Sequence, residues 1–419
     1  MTTLAHPSPD TDRAPASRRR PWLAVGAAMF AVAWGGNEFT PLLVMYRQAG
    51  GFSAQVVDLL LGAYVLGIVP ALLLGGPLSD RYGRRPLLLL APPLGIAGSA
   101  VLAAGHDSAA LLFAGRMLSG LALGLVMAVG SSWVKELSSA PYDDADPGAG
   151  ARRASMALTA GFGLGAVAAA GLAQWGPWPY LTPYLLNIVV TAPAGMLLLR
   201  APETRPSRGR VGSLLADLRV PAAAHRRFLR VVVPMAPWVF GSAASAYAIL
   251  PGVLLPRTPG VGIAFSGLLC LVALGCGVAV QPLARRLDDP HSARAVGLAL
   301  VIGTAGMLAA AAAAATLSPG VAVVAAAVLG SAYGLLLVSG LLEIQRIAGP
   351  DDLAGLTAVF YSVSYLGFFV PVVLAVLHTW WDYPTMFAAG TVLAVVTAVA
   401  VRSGRRITAG RTAAASRIR

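Results

Sequence analysis

The chain has 419 residues, of which 57% are hydrophobic and 12% are charged. The core of a water-soluble domain cannot bury that much apolar surface, so the composition excludes a soluble globular protein and indicates a chain embedded in lipid. The formal net charge of +13 arises from 31 basic and 18 acidic residues. Their placement along the chain explains this charge, so no nucleic-acid partner is expected.

Twelve apolar runs follow one another along the chain, each of roughly 20 residues, the length that crosses the hydrocarbon layer of a bilayer. These runs must be helical because lipid offers no water to satisfy backbone polar groups. We therefore predict an all-α membrane protein with spans at 22–46, 55–79, 86–104, 109–133, 154–174, 180–200, 228–253, 261–284, 293–315, 320–345, 353–377 and 384–402.

The charged stretches between the spans predict how the chain is divided. Residues 201–227 form the long central loop, and it separates residues 22–200 from residues 228–402, which we expect to form two six-helix bundles. Residues 1–21 are rich in Pro, Ser and Arg and predict a disordered N-terminal segment. Residues 403–419 predict a mobile, basic tail beside anionic lipid.

Internal repetition supports the division into two halves. Gly120 and Gly124 in span four correspond to Gly330 and Gly334 in span ten at an offset of 210 residues. The segment that follows span two likewise resembles the segment that follows span eight. Matches at nearly one offset favour a duplicated six-helix unit with the two halves related by pseudo-symmetry.

The basic residues predict the orientation in the membrane. Of the 31 Lys and Arg residues, 28 fall on the side of the N-terminus, Arg47 and Arg257 fall on the other side, and Arg116 lies inside the fourth span. Because cytoplasmic loops carry the excess of positive charge, both termini are expected in the cytoplasm. The amino-acid composition is rich in Ala and Arg and nearly free of Lys, which favours a bacterial source. The predicted spans then make the chain a multi-pass protein of the inner (plasma) membrane.

The loop after the second span carries the most specific motif. It reads GPLSDRYGRR, and its informative residues are Gly76, Asp80, Arg81, Gly83, Arg84 and Arg85. This stretch resembles the signature loop of the major facilitator superfamily, G-x-L-(A/S)-D-R-x-G-R-(R/K). The resemblance implies two six-helix bundles that rock about a central cavity and expose a substrate site to each membrane face in turn.

A cytoplasmic gate is the role that the resemblance implies for this loop. Asp80 would accept hydrogen bonds from Arg84 and from the start of span eleven, and so hold the cytoplasmic side shut. Gly76 and Gly83 would permit close approach and a tight turn. In the alternative interpretation, the arginines only enforce the membrane orientation.

Two charged residues at membrane depth are the main candidates for proton coupling. Arg116 needs a partner or a water-filled cavity, and Glu38 is the best partner because the two residues lie at similar depths in spans four and one. A carboxylate in a partly dry cavity can bind and release a proton as the cavity opens to each side. We predict that Glu38 carries the proton and that Arg116 tunes it. The alternatives are a static ion pair or a Glu38 that reaches interfacial water.

Asp58 is the lesser candidate for proton coupling because it lies only four residues into span two. Its alternative role is to cap the start of that helix. Polar and aromatic side chains at membrane depth are the candidates for a substrate cavity suited to lipophilic cations or neutral drugs. They are Trp34, Asn37, Tyr64, Trp238, Tyr247, Tyr333, Tyr361 and Tyr365. Most such aromatic residues pack or form interfacial belts, and Tyr361 and Tyr365, with Phe368, form the best single face.

The direction of transport stays open. Exporters of the family show G-x-x-x-G-P-x-x-x-G in helix five, and the corresponding stretch here has Gly161, Gly165 and Gly171 but Ala166 in place of the proline. We favour proton-coupled efflux of a lipophilic or drug-like small molecule. Proton-coupled uptake of a sugar or an organic acid, or a sensor of the same fold that binds without transport, are the alternatives.

The sequence lacks the motifs of ATP-driven transporters and of membrane enzymes. No phosphate loop is present, since the sole lysine, Lys135, follows Val134, and no hydrolase or zinc motif occurs. Neither an enzyme nor a cofactor is therefore expected, and Cys270 and Cys276 are interpreted as apolar fillers that form no disulfide and no metal site. The expected partners are a small-molecule substrate, protons and the lipid bilayer, and we expect a monomer.

Overall fold

The computed structural model describes residues 20–48, 51–146, 148–205, 218–289, 292–349 and 352–415, and the predicted N-terminal segment lies almost wholly outside them. The N-terminal half contains helices α1 Trp22–Gln48, α2 Ala54–Tyr82, α3 Arg84–Ala104, α4 Ala109–Leu137, α5 Ala149–Trp175 and α6 Thr182–Leu198. The C-terminal half contains α7 Phe228–Val253, α8 Gly262–Arg286, α9 Arg294–Thr316, α10 Pro319–Ile347, α11 Leu353–Leu377 and α12 Tyr383–Ala415.

The predicted all-helical membrane fold is confirmed. Within the described residues, ten of the twelve helices are long and apolar enough to cross a membrane, and α6 is apolar but shorter. Helix α1 has 27 residues and carries the polar Asn37 and Glu38 inside it. Each helix matches one predicted span, with the largest differences at the start of α5 and the end of α12.

The C-terminal end differs from the prediction. Helix α12 continues to Ala415, so residues 403–415 are helical where the sequence predicted a mobile tail. Ala and Arg, which dominate this stretch, are among the strongest helix formers. The basic composition of the segment did not oppose the helix.

The helix ends define two faces of the molecule. We call the face that holds the α2–α3 turn, the α4–α5 and α6–α7 connections and the α10–α11 connection the basic face. The face with the α1–α2, α3–α4, α5–α6, α7–α8, α9–α10 and α11–α12 connections is the opposite face. Ser53, Ser108 and Ser318 cap the starts of α2, α4 and α10 there, each accepting a hydrogen bond from a backbone N–H of its helix.

Glycines set the closest helix contacts at equivalent places in the two halves. An added Cβ at Gly120 of α4 would overlap the backbone carbonyl of Tyr64 in α2, and one at Gly330 of α10 would overlap that of Ala273 in α8. Gly124 and Gly334 make the same kind of backbone approach one turn further along. The sequence repeat therefore corresponds to a repeated packing interaction between α2 and α4 and between α8 and α10.

The two halves meet along α2 with α11, α5 with α8, and α1 with α8. Their contacts concentrate toward the opposite face. Every residue from Val239 to Pro251 of α7 is buried, whereas six of the eleven residues from Phe228 to Trp238, nearer the basic face, are partly exposed. Helix α1 is likewise buried throughout Glu38–Tyr46 and only intermittently buried near its start.

Hydrogen bonds join the halves at the opposite face. Gln174 of α5 donates to the carbonyl of Gly260 at 2.9 Å and accepts from the N–H of Ala264 at 3.0 Å. Gln55 of α2 donates to the carbonyl of Ala375 in α11 at 3.3 Å. These contacts close the opposite face.

Candidate functional site

Glu38 lies in the middle of α1, on the stretch of this helix that is buried on all sides. Its side chain is fully buried. The hydroxyl of Ser99 in α3 lies 3.2 Å from Oε1, and Oε2 has no hydrogen-bond partner. A buried carboxyl group with one oxygen unsatisfied is costly in its ionised form. The surroundings therefore suit a group that binds a proton.

Arg116 lies at the depth that the sequence predicted, beside the same part of α1. Its guanidinium stacks on the rings of Phe39 and Tyr64, with centroids at 4.6 and 4.1 Å. Its N–H groups reach the carbonyls of Gly36 and Leu60 at 3.5 and 3.4 Å, which are long contacts. The aromatic faces compensate part of the cost of burying the cation.

A direct ion pair between Glu38 and Arg116, the alternative considered from the sequence, is not formed. Within the residues that the structure describes, no oxygen of Glu38 lies within 4 Å of the guanidinium, although the two groups interact electrostatically. The rings of Phe39 and Tyr64 occupy the guanidinium faces instead. The depth of a residue along a helix can be estimated from the sequence. The direction in which its side chain points around the helix axis cannot, and the ion pair depends on that direction. The proposed coupling role stays a prediction.

A polar network beside Glu38 was missed by the sequence analysis. Ser99 contacts both Glu38 and Asn187 of α6, and Asn187 in turn donates to the carbonyl of Ala31 in α1 at 3.0 Å. The hydroxyls of Tyr46 and Tyr184 bond each other at 2.9 Å nearby. An amide inside an apolar span was the available signal, since such a group needs partners in lipid.

Asp58 forms a different contact from the one considered from the sequence. Its carboxylate is buried and pairs with Arg47 at the end of α1. The cap of α2 is Ser53, whose hydroxyl accepts from the N–H of Val56 at 3.3 Å, so the capping role considered for Asp58 is wrong. Arg47 also packs against Gly252 of α7, where an added Cβ would overlap the guanidinium. The Arg47–Asp58 pair thus lies at the junction of the two halves on the opposite face.

Asn37 joins the two halves at membrane depth. Its amide donates to the carbonyl of Phe162 in α5 at 3.0 Å and to the sulfur of Cys270 in α8 at 3.5 Å, and its oxygen accepts from Thr40 at 2.7 Å. Cys270 and Cys276 are free thiols, as expected. Cys270 is more than an apolar filler, because it accepts this inter-half hydrogen bond.

Aromatic residues from both halves converge beside Asn37. The hydroxyl groups of the five predicted tyrosines are close enough to interact electrostatically: Tyr64, Tyr247, Tyr333, Tyr361 and Tyr365. In the C-terminal half, Phe240 stacks on Tyr365 at 4.3 Å and on Phe368 at 5.0 Å between ring centroids. The Tyr365 hydroxyl reaches the sulfur of Met127 in α4 at 3.3 Å.

The two predicted tryptophans lie elsewhere. Trp238 donates to the hydroxyl of Thr397 in α12 at 3.2 Å, so its indole N–H points into its own bundle and away from the other half. Trp34 packs edge-on against Phe30, one turn earlier in α1, at 5.9 Å. Neither contact supports a place among the converging tyrosines. Phe240, which the sequence analysis did not select, lies at the centre of the aromatic stack.

The signature loop is held together by ion pairs with the N-terminal half and with the start of the central loop. Arg84 contacts Asp80 at 2.8 Å and Glu136 of α4 at 3.0 Å, and Asp80 also pairs with Arg205 at 3.1 Å. The predicted bond from Asp80 to Arg84 is therefore present. The ion pairs described for Asp80 are with Arg84 of its own half and with Arg205 of the central loop, and the gate contact with α11 stays a prediction.

The glycines and remaining arginines of the loop play unequal parts. Gly83 has φ 103°, a conformation that favours glycine, and it makes the α2–α3 turn as expected. Gly76 has open space where a Cβ would be, so the expected close approach is absent here. Glu203 accepts from the backbone N–H groups of Arg84 and Arg85. Arg81, the last of the six predicted motif residues, also interacts with another group.

The sequence matches the model of the Major Facilitator Superfamily over residues 22–370. The chain therefore belongs to this superfamily of transporters, and it is a multi-pass membrane transporter and not an enzyme. It is 29% identical over 222 residues to the multidrug efflux pump LfrA of Mycolicibacterium smegmatis, an alignment that covers 49% of this chain and 41% of the pump. It is 37% identical over 97 residues to the human proton myo-inositol cotransporter, covering 23% of this chain and 15% of that protein.

These alignments span less than half the length of either curated relative. Solved structures extend the comparison to the whole fold. The nucleoside transporter NupG covers 92% of this chain and 98% of its own with a TM-score of 0.70 at 12% identity. A POT family transporter in complex with 5-aminolevulinic acid covers 91% and 94% with a TM-score of 0.73 at 14% identity. At these identities the likeness establishes the fold alone.

Proposed function

We propose that the chain is a proton-coupled secondary transporter that works by alternating access. The observation that carries this proposal is Glu38, fully buried on α1 with Oε2 unsatisfied, and next in the chain to Asn37, which hydrogen-bonds to both halves. A carboxyl group there binds a proton when the interior opens to an acidic side and releases it on the other side.

The orientation follows from charge. The basic face is cytoplasmic, since it carries the Lys and Arg excess, and both termini lie on that side of a bacterial inner membrane. We infer that the interior opens toward the cytoplasm in this state, and the support is that α7 is buried toward the opposite face and partly exposed toward the basic face. The Asp80 gate then closes in the reverse state.

Efflux of lipophilic or drug-like compounds is the favoured activity, acting by proton antiport. The stacked rings of Phe240, Tyr365 and Phe368 and the nearby hydroxyls suit flat apolar molecules that carry few polar groups. The similarity to a multidrug efflux pump points the same way. Uptake of a small hydroxylated metabolite is the second candidate, favoured by the similarity to a proton myo-inositol cotransporter and by the same hydroxyls.

The test is transport of ethidium by protein reconstituted in proteoliposomes under an imposed pH gradient. We expect Glu38→Gln to abolish gradient-driven ethidium movement, because a neutral amide cannot exchange a proton. Exchange of ethidium at equal pH on both sides should persist, since it needs no net proton movement. Radiolabelled myo-inositol replaces ethidium in the assay for the second candidate.

Two variants serve as controls. Asp146→Asn removes an exposed carboxylate on the α4–α5 connection and should leave coupling unchanged. Asp58→Asn tests the lesser coupling candidate. Undiminished gradient-driven movement in Glu38→Gln would contradict the proposal, and its loss in Asp58→Asn alone would transfer the coupling role to Asp58.

A further inference from the structure

The hydroxyl of Ser99 lies between two oxygen atoms. Its Oγ is 2.9 Å from Oδ1 of Asn187 and 3.2 Å from Oε1 of Glu38, and all three groups are buried. A serine hydroxyl has one hydrogen to donate and two lone pairs that accept. It can therefore donate to only one of these two oxygens at a time.

The orientation of Asn187 is fixed by its other contact. Its Nδ2 donates to the carbonyl of Ala31 in α1 at 3.0 Å, so Oδ1 is the atom that faces Ser99 and it can only accept. Gly35 makes this possible, because an added Cβ would lie 2.8 Å from Oδ1. Asn187 thus competes with Glu38 for the single hydrogen of Ser99.

The protonation state of Glu38 resolves the competition. When Glu38 is ionised it only accepts, so one of the two short oxygen–oxygen contacts has no hydrogen in it. When Glu38 is protonated, it donates to Ser99 and Ser99 donates to Asn187, so every contact in the chain is satisfied. The shorter distance to Asn187 agrees with this second arrangement.

The charged and titratable groups around Glu38 supply no other donor for Oε2 among the described residues. Arg116 of α4 is directed to aromatic faces and backbone carbonyls. The hydroxyls of Tyr46 in α1 and Tyr184 in α6 bond each other, and neither reaches Oε2. The hydroxyl hydrogen of Ser99 is therefore the one whose direction depends on the charge of Glu38.

We propose that Ser99 is a positioning residue that transmits the protonation state of Glu38 to Asn187, and through it to the contact between α6 and α1. Protonation of Glu38 sends the Ser99 hydrogen to Asn187 and ties α1, α3 and α6 together in the state closed at the opposite face. Loss of the proton turns the Ser99 hydrogen to the carboxylate and leaves Oδ1 of Asn187 without a donor. This inference rests on the proposed coupling role of Glu38 and extends it.

The test is infrared difference spectroscopy of the purified, lipid-reconstituted protein during a pH titration, which needs no substrate. The carbonyl stretch of protonated Glu38 is identified as the band that disappears in Glu38→Gln. In Ser99→Ala the pH of half-loss of this band should rise by about one unit, because the carboxylate loses a donor. In Asn187→Leu it should fall, because Ser99 is free to donate to the carboxylate.

The opposite signs of these two shifts are the diagnostic result, since general loosening of the bundle would not produce them. Ser119→Ala is the matched control, because this buried serine of α4 donates to the carbonyl of Gly115 in its own helix. The variant should leave the midpoint in place.

Shifts of equal sign, or no shift in either variant, would overturn the role of Ser99. If Glu38→Gln abolishes proton-coupled ethidium transport while Ser99→Ala keeps the wild-type midpoint, the role of Ser99 is wrong and the proposed function stands. If Glu38→Gln keeps coupling, the proposed function fails whatever the spectra show.

Discussion

The two halves share their architecture but differ in where they bury charge. In the N-terminal half, Glu38, Asp58 and Arg116 are buried within the membrane-spanning helices. In the described part of the C-terminal half, the buried charged residue is Glu343, at the basic-face end of α10. The corresponding interior of the C-terminal half holds aromatic rings, with Phe240 at their centre.

This difference shows which features a duplicated unit keeps. The glycine contacts recur because they determine how closely helices approach, and any change of that distance disturbs the whole bundle. Side chains that face the interior are free to diverge, since they are not needed for packing. We infer that the N-terminal half handles the proton and the C-terminal half contributes most of the apolar surface for the substrate.

The largest expected effect tests the shared part of the comparison. Gly120→Val and Gly330→Val should each destabilise their half by about 3 kcal/mol or more, because the new side chain overlaps the backbone of the neighbouring helix. The measurement is the yield of monodisperse protein and its thermal midpoint in detergent. Equal losses in the two variants would confirm that the repeat is one of packing.

Matched controls exist in each half. Gly163 of α5 and Gly275 of α8 have open space where a Cβ would be, so Gly163→Val and Gly275→Val should keep the wild-type yield. A tolerated Gly330→Val, with Gly120→Val lost, would show that close α8–α10 contact is dispensable and that the halves differ in packing as well as in charge.

The second prediction compares the two carboxylates at the basic-face ends of α4 and α10. Glu343 is buried and binds Arg227 and Arg346, whereas the side chain of Glu136 is 31% exposed and shares Arg84 with Asp80. Glu343→Gln should cost about 3 kcal/mol, because it removes the buried carboxylate that binds both arginines, while Arg346 keeps its pair with Asp288. Glu136→Gln should cost about 1 kcal/mol, because Arg84 keeps Asp80 and solvent screens the lost charge. Thermal denaturation in detergent compares the two, and an equal cost would contradict the prediction.

The sequence predicted the fold well because lipid imposes length and polarity on each helix independently. The ends of α7 and α11 agree with the predicted spans, and the depths of Glu38 and Arg116 follow from the helical rise. Side-chain direction around the axis could not be predicted. Trp238 was expected in the cavity and faces Thr397 instead, because an aromatic residue in an apolar helix gives no periodic signal.

The roles of single polar residues in apolar spans also could not be predicted from the sequence. Ser99 and Asn187 lie in spans that are otherwise apolar, and their significance depends on meeting Glu38 from separate helices. Only the packed structure shows this meeting. The predicted gate contact of Asp80 with α11 belongs to the conformation in which the basic face is closed.

The third and smallest expected effect concerns the junction of the two halves at the opposite face. Arg47 of α1, paired with Asp58, lies against Gly252 of α7, and the guanidinium fills the space that a side chain there would need. Gly252→Val should displace it and weaken closure of the opposite face by about 1–3 kcal/mol, roughly a 5- to 150-fold shift in population. Helix α7 itself should stay folded, since Val is tolerated in membrane helices.

Pulsed electron resonance between spin labels at Asp107 and Thr316 measures this shift. These residues are exposed at the opposite-face ends of the two halves, and Cys270 and Cys276 are first replaced by Ala. A longer distance should gain population in Gly252→Val, while Gly275→Val keeps the distribution of the labelled parent. Because Asp58→Asn frees Arg47 without adding bulk, it should produce a smaller shift of the same sign. An unchanged distribution in Gly252→Val would mean that the Arg47–Asp58 pair does not help to hold the halves together, and closure would then depend on the uncharged contacts of Gln174 and Gln55.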